Sequence, residues 1–331
     1  MMKKERKFNK ISSPDRERLD VLKGVHCAPI IVLGEHRSGT TLLYRLLAMT
    51  DCFNVQTAYH AMCYDRLLTD NAEGRGDAAR EELNRRLAGL NLQTRLVDSI
   101  PFDADYPEEY CFVLQPRSGR FRLSEKNLPL FEEMCRKIQF ISGRDRPLLL
   151  KNPFDYDNFM TVKRLLPNVK FIFIHRHPIQ VLSSQLRMVR RNWAEGNPLN
   201  QRYSRTYARL QRNRIVTGFM RWATGADSRI QPARRIIVDR ALKRANYFLD
   251  NVNSLPAGAY STTRYEDLCA DPNGEMSRIL KSLGVEPAGS VDFRKAIAPR
   301  PLELLPEIQE IAESVLSRFR RVLSYHGYAT P

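Results

Sequence analysis

The chain reads Pro-Ile-Ile-Val-Leu-Gly-Glu-His-Arg-Ser-Gly-Thr-Thr-Leu-Leu-Tyr-Arg-Leu over residues 29–46. The apolar start, residues 29–33, is typical of a buried strand, and leucines recur at helical spacing at the end of the stretch. A loop of mostly small residues, Gly34 to Gly39, lies between them. Loop amides and the dipole of the following helix both attract an anion at such a junction. The stretch therefore predicts a phosphate-binding loop.

The spacing Gly34-x4-Gly39 matches the phosphate loop of nucleotide triphosphatases, but the lysine of that loop is missing. That class needs Gly-Lys-Ser/Thr, with the lysine on the β- and γ-phosphates. Here Thr40 and Thr41 follow Gly39, and the cation of the loop is Arg37. The pattern disfavours ATP hydrolysis, and a P-loop kinase-like nucleotide enzyme remains an alternative at this point.

The length suits one large α/β domain or two small ones. The chain has 331 residues, 43% of them hydrophobic, and no apolar run approaches the ~18 residues of a membrane span. No apolar segment follows the basic start, which argues against a cleaved secretory signal. The six cysteines are scattered without a Cys-x-x-Cys pair, which fits a reducing compartment and predicts no metal site. We therefore expect a cytoplasmic protein.

The net charge of +16 predicts an anionic partner. Nucleic acid, acidic lipid, an anionic glycan and a polyphosphorylated cofactor all fit this charge. A basic nucleic-acid-binding module that has kept an inactive phosphate loop is the non-enzymatic alternative. Residues 1–24 are polar and charged, and are predicted to form an N-terminal basic arm, either mobile or a short capping helix. Residues 25–331 are predicted to form the single folded domain.

Further strands and helices are predicted from apolar runs and helical spacing. The predicted strands are a run ending at Lys151, residues 169–174 and residues 259–264, and the predicted helices are residues 70–96, 154–166 and 276–283. Apolar strands that alternate with helices indicate a parallel sheet covered on both faces. Ligands bind at the carboxyl ends of such strands, and Arg37, Lys151 and Arg176 all fall there.

A second phosphate-binding pattern occupies residues 175–184, His-Arg-His-Pro-Ile-Gln-Val-Leu-Ser-Ser. It places Arg176 at the end of a strand and Ser184 two turns into the next helix. A guanidinium fork and a hydroxyl donor suit a phosphate group.

These patterns together resemble the sulfotransferases that use 3′-phosphoadenosine-5′-phosphosulfate (PAPS). Arg-Ser-Gly-Thr-Thr-Leu-Leu resembles their loop for the 5′-phosphosulfate. Arg176 and Ser184 resemble the family's Arg-Asp-Pro and following Ser, which grip the 3′-phosphate, with His177 in place of the Asp. Lys151 lies in Lys-Asn-Pro, similar to the family's Lys-Ser-Pro or Lys-Asp-Pro. The resemblance covers residues 29–285 and is nearest the broad bacterial branch, with similarity to the tyrosylprotein branch.

The resemblance implies a single α/β domain of the P-loop nucleoside triphosphate hydrolase type, with PAPS as co-substrate and no metal. It implies that Arg37 and Lys151 stabilise the charge on the transferred sulfuryl group. The cofactor-binding residues that it implies are Glu35, His36, Arg37, Ser38, Gly39, Thr40, Thr41, Arg176 and Ser184.

The acceptor hydroxyl also needs a proton acceptor, and the sequence leaves its identity open. Bacterial relatives often carry Trp-Glu about two dozen residues after the loop, and that count reaches Tyr59 and His60 here. His60 is therefore the first candidate base, since an imidazole titrates near neutrality. Glu108 and Glu109, in an acidic segment similar to one of bacterial relatives, are the alternatives.

The acceptor itself is not specified by the sequence. A small molecule, a glycan, a lipid or a peptide tyrosine all fit as the source of the accepting hydroxyl or amine. Peripheral membrane contact is compatible with the sequence, and the oligomeric state is left open. An arginine-rich stretch, residues 187–221, is either a solvated helix face or a docking surface for an anionic acceptor. The absence of an RNA-binding motif disfavours nucleic acid. Acceptor specificity is predicted to lie in residues 54–70, 98–125 and 186–225.

Overall fold

A parallel sheet forms the centre of the molecule. The computed structural model describes residues 13–94, 100–143, 145–198, 201, 204–225, 232–287, 289, 291–297 and 303–329. Within these residues the strands are β1 (Ile30–Gly34), β2 (Asn54–Val55), β3 (Leu148–Lys151), β4 (Lys170–His175) and β5 (Tyr260–Arg264). They pair in the order β2-β3-β1-β4-β5, all parallel. The phosphate loop that follows β1 therefore lies between the carboxyl ends of β3 and β4.

Helices cover both faces of the sheet. They are α1 (Thr40–Ala48), α2 (Ala58–Met62), α3 (Leu67–Ala72), α4 (Gly76–Gly89), α5 (Cys111–Ser118), α6 (Leu128–Ser142), α7 (Phe159–Leu165), α8 (Pro178–Ala194), α9 (Arg205–Arg212), α10 (Arg214–Thr224), α11 (Pro232–Asn251), α12 (Tyr265–Ala270), α13 (Pro272–Leu283), α14 (Pro306–Gln309), α15 (Ala312–Arg318) and α16 (Arg320–Tyr325). The predicted fold class is confirmed, and no helix in the described ranges is long and apolar enough to cross a bilayer.

The strand sequences explain why both faces are covered. Successive side chains of a strand point to opposite faces, and β1 is apolar at every position from Ile30 to Leu33. Ile31 and Leu33 pack in one core with α6, α8 and α11, whereas Ile30 and Val32 pack in a second core with α1 and α13. A strand that is buried on both faces reads as a continuous apolar run, which is why the sequence disclosed β1.

The predicted strands lie within one residue of the observed bounds, and β2 was missed because two residues carry no readable pattern. The helix predicted over residues 70–96 is wrong in part. Gly74 has φ +64°, a conformation that ends a helix, so α3 stops before it and α4 begins after it. The helix predicted over 154–166 is shorter, because Pro153–Asp155 forms a 3₁₀ turn and α7 begins only at Phe159.

Part of the predicted N-terminal arm packs on the domain. Pro14–Leu22 is a 3₁₀ helix that contacts α3 and α6. The fully buried Asp15 accepts hydrogen bonds from the backbone of Leu68 and Thr69, and its Oδ2 lies 3.0 Å from Lys137 Nζ. Residues 1–12 lie outside the described residues, and the division at residue 24 stays a prediction.

Candidate active site

The phosphate loop is held in shape by two glycines. Gly39 has φ +103°, and a Cβ there would lie 2.5 Å from the Tyr265 ring. A Cβ on Gly34 would lie 2.5 Å from the carbonyl oxygen of Ile174. Only glycine fits either position. Arg37 also has a positive φ, +73°, which a non-glycine residue adopts at a cost of about 1 kcal/mol or more.

The underside of the loop rests on a buried ionic network. Glu35 Oε1 accepts hydrogen bonds from the His36 backbone N–H (3.0 Å), from Gln185 Nε2 (2.9 Å) and from Arg244 Nη1 (2.9 Å). Arg244 also donates to Asp157 through Nε, at 3.0 Å. Burial raises the pKa of Glu35, and burial together with the Arg244 charge lowers the pKa of His36 to about 3. Glu35 therefore shapes the loop from below, and His36 is neutral at physiological pH.

Two other predicted loop residues differ in exposure to the site. Ser38 is buried beneath the loop, and its Oγ has no hydrogen-bond partner in the described part of the protein. Thr41 lies on the first turn of α1, where its hydroxyl meets the lysine at the end of β3.

The carboxyl end of β3 carries a buried cation between two polar partners. Lys151 Nζ lies 3.0 Å from Thr41 Oγ1 and 3.2 Å from Glu109 Oε1. The ammonium also lies 5.6 Å from the centroid of the Tyr44 ring. Lys151 is fully buried and Glu109 nearly so. The structure thus brings together a predicted cation, a predicted carboxylate and the phosphate loop.

A hydrogen bond joins the second phosphate-binding pattern to the phosphate loop. Arg37 Nε donates to Ser184 Oγ at 3.0 Å, although 147 positions separate the two residues. Arg176 donates to Gln180 Oε1 at 3.0 Å, and its guanidinium carbon lies 3.9 Å from the centroid of the Tyr265 ring. Stacking on that ring fixes the guanidinium plane, so both predicted arginines are positioned before any anion binds.

His60 is not among the residues that line the cavity beside the loop. Its Nδ1 accepts the Thr57 backbone N–H at 3.0 Å in a capping box at the start of α2. Burial, with a smaller effect of Arg80, lowers the pKa of His60 to about 3. His60 thus caps a helix and lies outside the cavity lining, and its role as the base stays a prediction that this geometry does not favour.

The cavity beside the loop has a volume of about 550 Å³. Its polar end is formed by His36, Arg37, Thr40, Thr41 and Glu109. Its apolar walls include Phe112, Phe121, Pro153, Phe154, Met188 and Leu210. Two of the three segments predicted for acceptor specificity, 98–125 and 186–225, contribute to the lining, and residues 54–70 do not. The arrangement can hold an apolar molecule with one polar group at the phosphate loop.

Comparison with known proteins decides between the enzyme classes left open by the loop. Residues 29–288 match the protein family described as the sulfotransferase family. The chain belongs to this family. The predicted enzyme class is thereby confirmed, and the kinase-like and nucleic-acid-binding alternatives are set aside. In the described residues of this sulfotransferase, no group of His, Cys, Asp or Glu side chains could hold a metal ion.

The chain is similar to the omega-hydroxy-beta-dihydromenaquinone-9 sulfotransferases Stf3 of Mycobacterium bovis and Mycobacterium tuberculosis. Each is 23% identical in an alignment 280 residues long, which covers 78% of this sulfotransferase and 63% of the relative. The chain thus spans less than two thirds of the length of these curated relatives.

Solved sulfotransferases share the fold. The sulfotransferase STF9 of Mycobacterium avium matches 96% of this chain with 81% of its own, at 16% identity and a TM-score of 0.64. STF1 of Mycobacterium tuberculosis matches 92% with 79% of its own, at 17% identity and a TM-score of 0.58. At these identities the match supports the architecture alone.

Several residues that build the site had no signature in the sequence. Gln185 and Arg244 hold Glu35 from positions 150 and 209 residues away. Gln185 directly follows the predicted Ser184, which is a weak hint, whereas Arg244 is one of many cations in α11. Their role depends on the packing of α8 and α11 beneath the loop.

Proposed function

We propose that this sulfotransferase transfers the sulfuryl group of PAPS to a hydroxyl group of an apolar, lipid-like acceptor. The observation that carries the proposal is that Lys151 contacts Glu109 and Thr41, which line the polar end of a cavity whose surface is mainly apolar. The acceptor class agrees with the relatives that are named for a hydroxylated menaquinone.

The residues of the loop fit the 5′-phosphosulfate. Glycine at positions 34 and 39 lets the loop pack closely against Ile174 and Tyr265, and the buried Ser38 Oγ has no protein partner in the described residues. Backbone amides at the start of α1 face the same place and favour an anion. PAPS supplies an activated sulfuryl group there, bound through a bridging oxygen to its phosphate.

Arg37 and Lys151 stabilise the charge that develops during transfer. In sulfuryl transfer the acceptor oxygen forms a bond to sulfur while the bond from sulfur to the bridging oxygen breaks. By analogy with phosphoryl transfer, the protein contributes mainly positioning and electrostatic stabilisation. The two cations approach from opposite sides of β1, because β3 carries Lys151 and Arg37 is tied to Ser184 on α8.

Glu109 is proposed as the base that takes the proton of the acceptor hydroxyl. It lines the cavity, whereas Glu108 and His60 do not line it. Its Oε1 is 3.2 Å from Lys151 Nζ, so the proton acceptor lies beside the cation that stabilises the transferred sulfuryl group. Gln115 also lines the cavity, and its buried side-chain oxygen has no hydrogen-bond partner in the described residues. This oxygen can accept a hydrogen bond from a second polar group of the acceptor.

Three matched variants test the roles. Transfer from ³⁵S-labelled PAPS to long-chain alcohols is measured for Glu109→Gln, Glu108→Gln and His60→Gln, together with binding of the product nucleotide PAP. We expect Glu109→Gln to lose about a hundredfold in turnover, as expected for loss of a general base, while PAP still binds. The other two variants should stay active, since glutamine can accept the hydrogen bonds that Glu108 and His60 now accept. An active Glu109→Gln enzyme would remove this residue from the mechanism. If the unmodified protein neither transferred the labelled group nor bound PAP, PAPS would be refuted as the donor.

A further inference from the structure

Helix α10 presents an apolar face to solvent. Ile215, Phe219 and Trp222 follow one another at spacings of four and three, which places them on one side of the helix. Their exposed fractions are 84%, 58% and 50%, and the rings of Phe219 and Trp222 lie 5.7 Å apart. On its other side α10 packs against α8, α9 and α11. We call these three side chains the α10 face.

The segment of sequence that carries the α10 face, between Glu195 and Asp227, has positive charges only. From Gly196 to Ala226 the sequence holds six arginines and no acidic residue. The described arginines Arg209, Arg212 and Arg214 are exposed at the junction of α9 and α10. Arg221 instead donates to the carbonyl oxygens of Trp193 and Ala194 and fastens α10 to the end of α8. Helix α10 is thus fixed to α8, and exposed arginines border its apolar face.

The α10 face adjoins the wall of the acceptor cavity. Leu210 of α9 lines the cavity and is itself 39% exposed. Tyr207 also lines the cavity, and its hydroxyl donates to the Asn192 carbonyl oxygen at 2.9 Å. The α9–α10 pair therefore links the inner surface of the cavity to the outer apolar face.

We propose that the α10 face docks this enzyme on an anionic lipid surface. An amphipathic helix with aromatic and aliphatic side chains on one side and arginines beside them lies in the interface of such a membrane. The arginines bind lipid phosphates and the apolar side chains enter the boundary of the acyl chains. Docking would bring the cavity to the membrane, where a lipid-like acceptor resides, and this last clause alone rests on the proposed function.

Charge favours a membrane over the other occupants. Two copies of this chain that met through the α10 face would bring their arginines together, and like charges disfavour that contact. A nucleic acid would use the arginines but leave Ile215 and Phe219 in water. An anionic bilayer satisfies the charged and the apolar groups at once.

Trp222 reports directly on insertion. The chain has two tryptophans, so Trp193→Phe leaves Trp222 as the single reporter. We expect a blue shift of its emission and co-sedimentation with vesicles of phosphatidylcholine and phosphatidylglycerol. Vesicles of phosphatidylcholine alone should bind less, and added salt should weaken binding to the anionic ones. No shift and no sedimentation with anionic vesicles would overturn the proposal.

A matched pair of variants, made in the Trp193→Phe background, localises the contact. Ile215→Ser with Phe219→Ser should weaken vesicle binding by about tenfold or more, because two apolar side chains leave the bilayer. Met49→Ser with Leu90→Ser removes two other exposed apolar side chains, 47% and 61% exposed, and should not weaken binding. Equal losses in both pairs, or concentration-dependent self-association that only the first pair abolishes, would contradict docking through α10.

The vesicle assay also separates this proposal from the proposed function. Circular dichroism verifies that both pairs of variants are folded, and transfer to a short, water-soluble alcohol is measured without vesicles. If a variant loses vesicle binding but keeps this transfer, its defect lies in the docking surface and not in the active site. If the protein binds vesicles but transfers no sulfuryl group, the proposed function is contradicted and the docking proposal stands.

Discussion

The buried pair of Lys151 and Glu109 can be tested by a double-mutant cycle. The perturbation is Lys151→Met, Glu109→Gln and the double variant. At 3.2 Å between Nζ and Oε1, and with an effective dielectric constant of about 20, the Coulomb attraction is about 5 kcal/mol. Desolvation of both groups offsets much of that attraction, so the net contribution of the pair is far smaller.

Each single variant leaves one charge buried without its partner. Lys151→Met also removes the hydrogen bond to Thr41. Removing one partner of a buried ion pair typically costs about 3–5 kcal/mol in the free energy of unfolding. The double variant leaves neither charge, so its cost should fall short of the sum of the single costs by about 2 kcal/mol or more. Urea unfolding of the four proteins at pH 7 measures these differences.

A surface pair provides the control. Arg164 Nη1 lies 2.9 Å from Glu125 Oε1, but both side chains are more than half exposed. The cycle of Arg164→Met and Glu125→Gln should give a coupling of less than about 0.5 kcal/mol, as exposed pairs do. If the Lys151–Glu109 cycle gave a coupling no larger than this control, the two groups would not form a buried pair, and the reasoning on their joint role would fail.

Three further predictions follow from the geometry of the site. Because burial lowers the folded-state pKa of His60 to about 3, the unfolded chain binds its proton between that value and about 6.5, and stability falls as the pH falls through this window. Between pH 7 and pH 5 the free energy of unfolding of His60→Gln should therefore fall by about 2 kcal/mol less than that of the unmodified protein. Equal losses for the two proteins in urea unfolding would contradict this. Arg176→Ala should weaken binding of PAPS about tenfold or more but spare adenosine 5′-phosphosulfate, whereas Ser184→Ala should weaken both, because Ser184 also holds an arginine of the loop. Gly39→Ala should abolish binding of PAP in calorimetry, since φ is +103° at this position and the Cβ of the alanine would meet the Tyr265 ring; unchanged binding would contradict the assignment of the loop.

The fold was readable because its decisive part is local. An apolar strand, a loop with glycines at fixed spacing and an amphipathic helix depend on residues close together in sequence. The same holds for the end of β3 at Lys151 and for the junction of β4 and α8 at Arg176. A parallel sheet gathers the carboxyl ends of its strands at one edge, so these motifs could be assigned to one site.

The sequence by itself determined the phosphate loop, the strand ends and the family. Only the tertiary structure decided which side chains meet there. It ties Arg37 to Ser184, supports Glu35 on Arg244 and pairs Lys151 with Glu109 rather than with His60. Counting along the chain reached His60, the third residue of α2, but not the carboxylate that the start of α5 brings to β3. Backbone conformation is set largely by neighbouring residues, whereas the contacts of a buried charge are set by helices that pack from far along the chain.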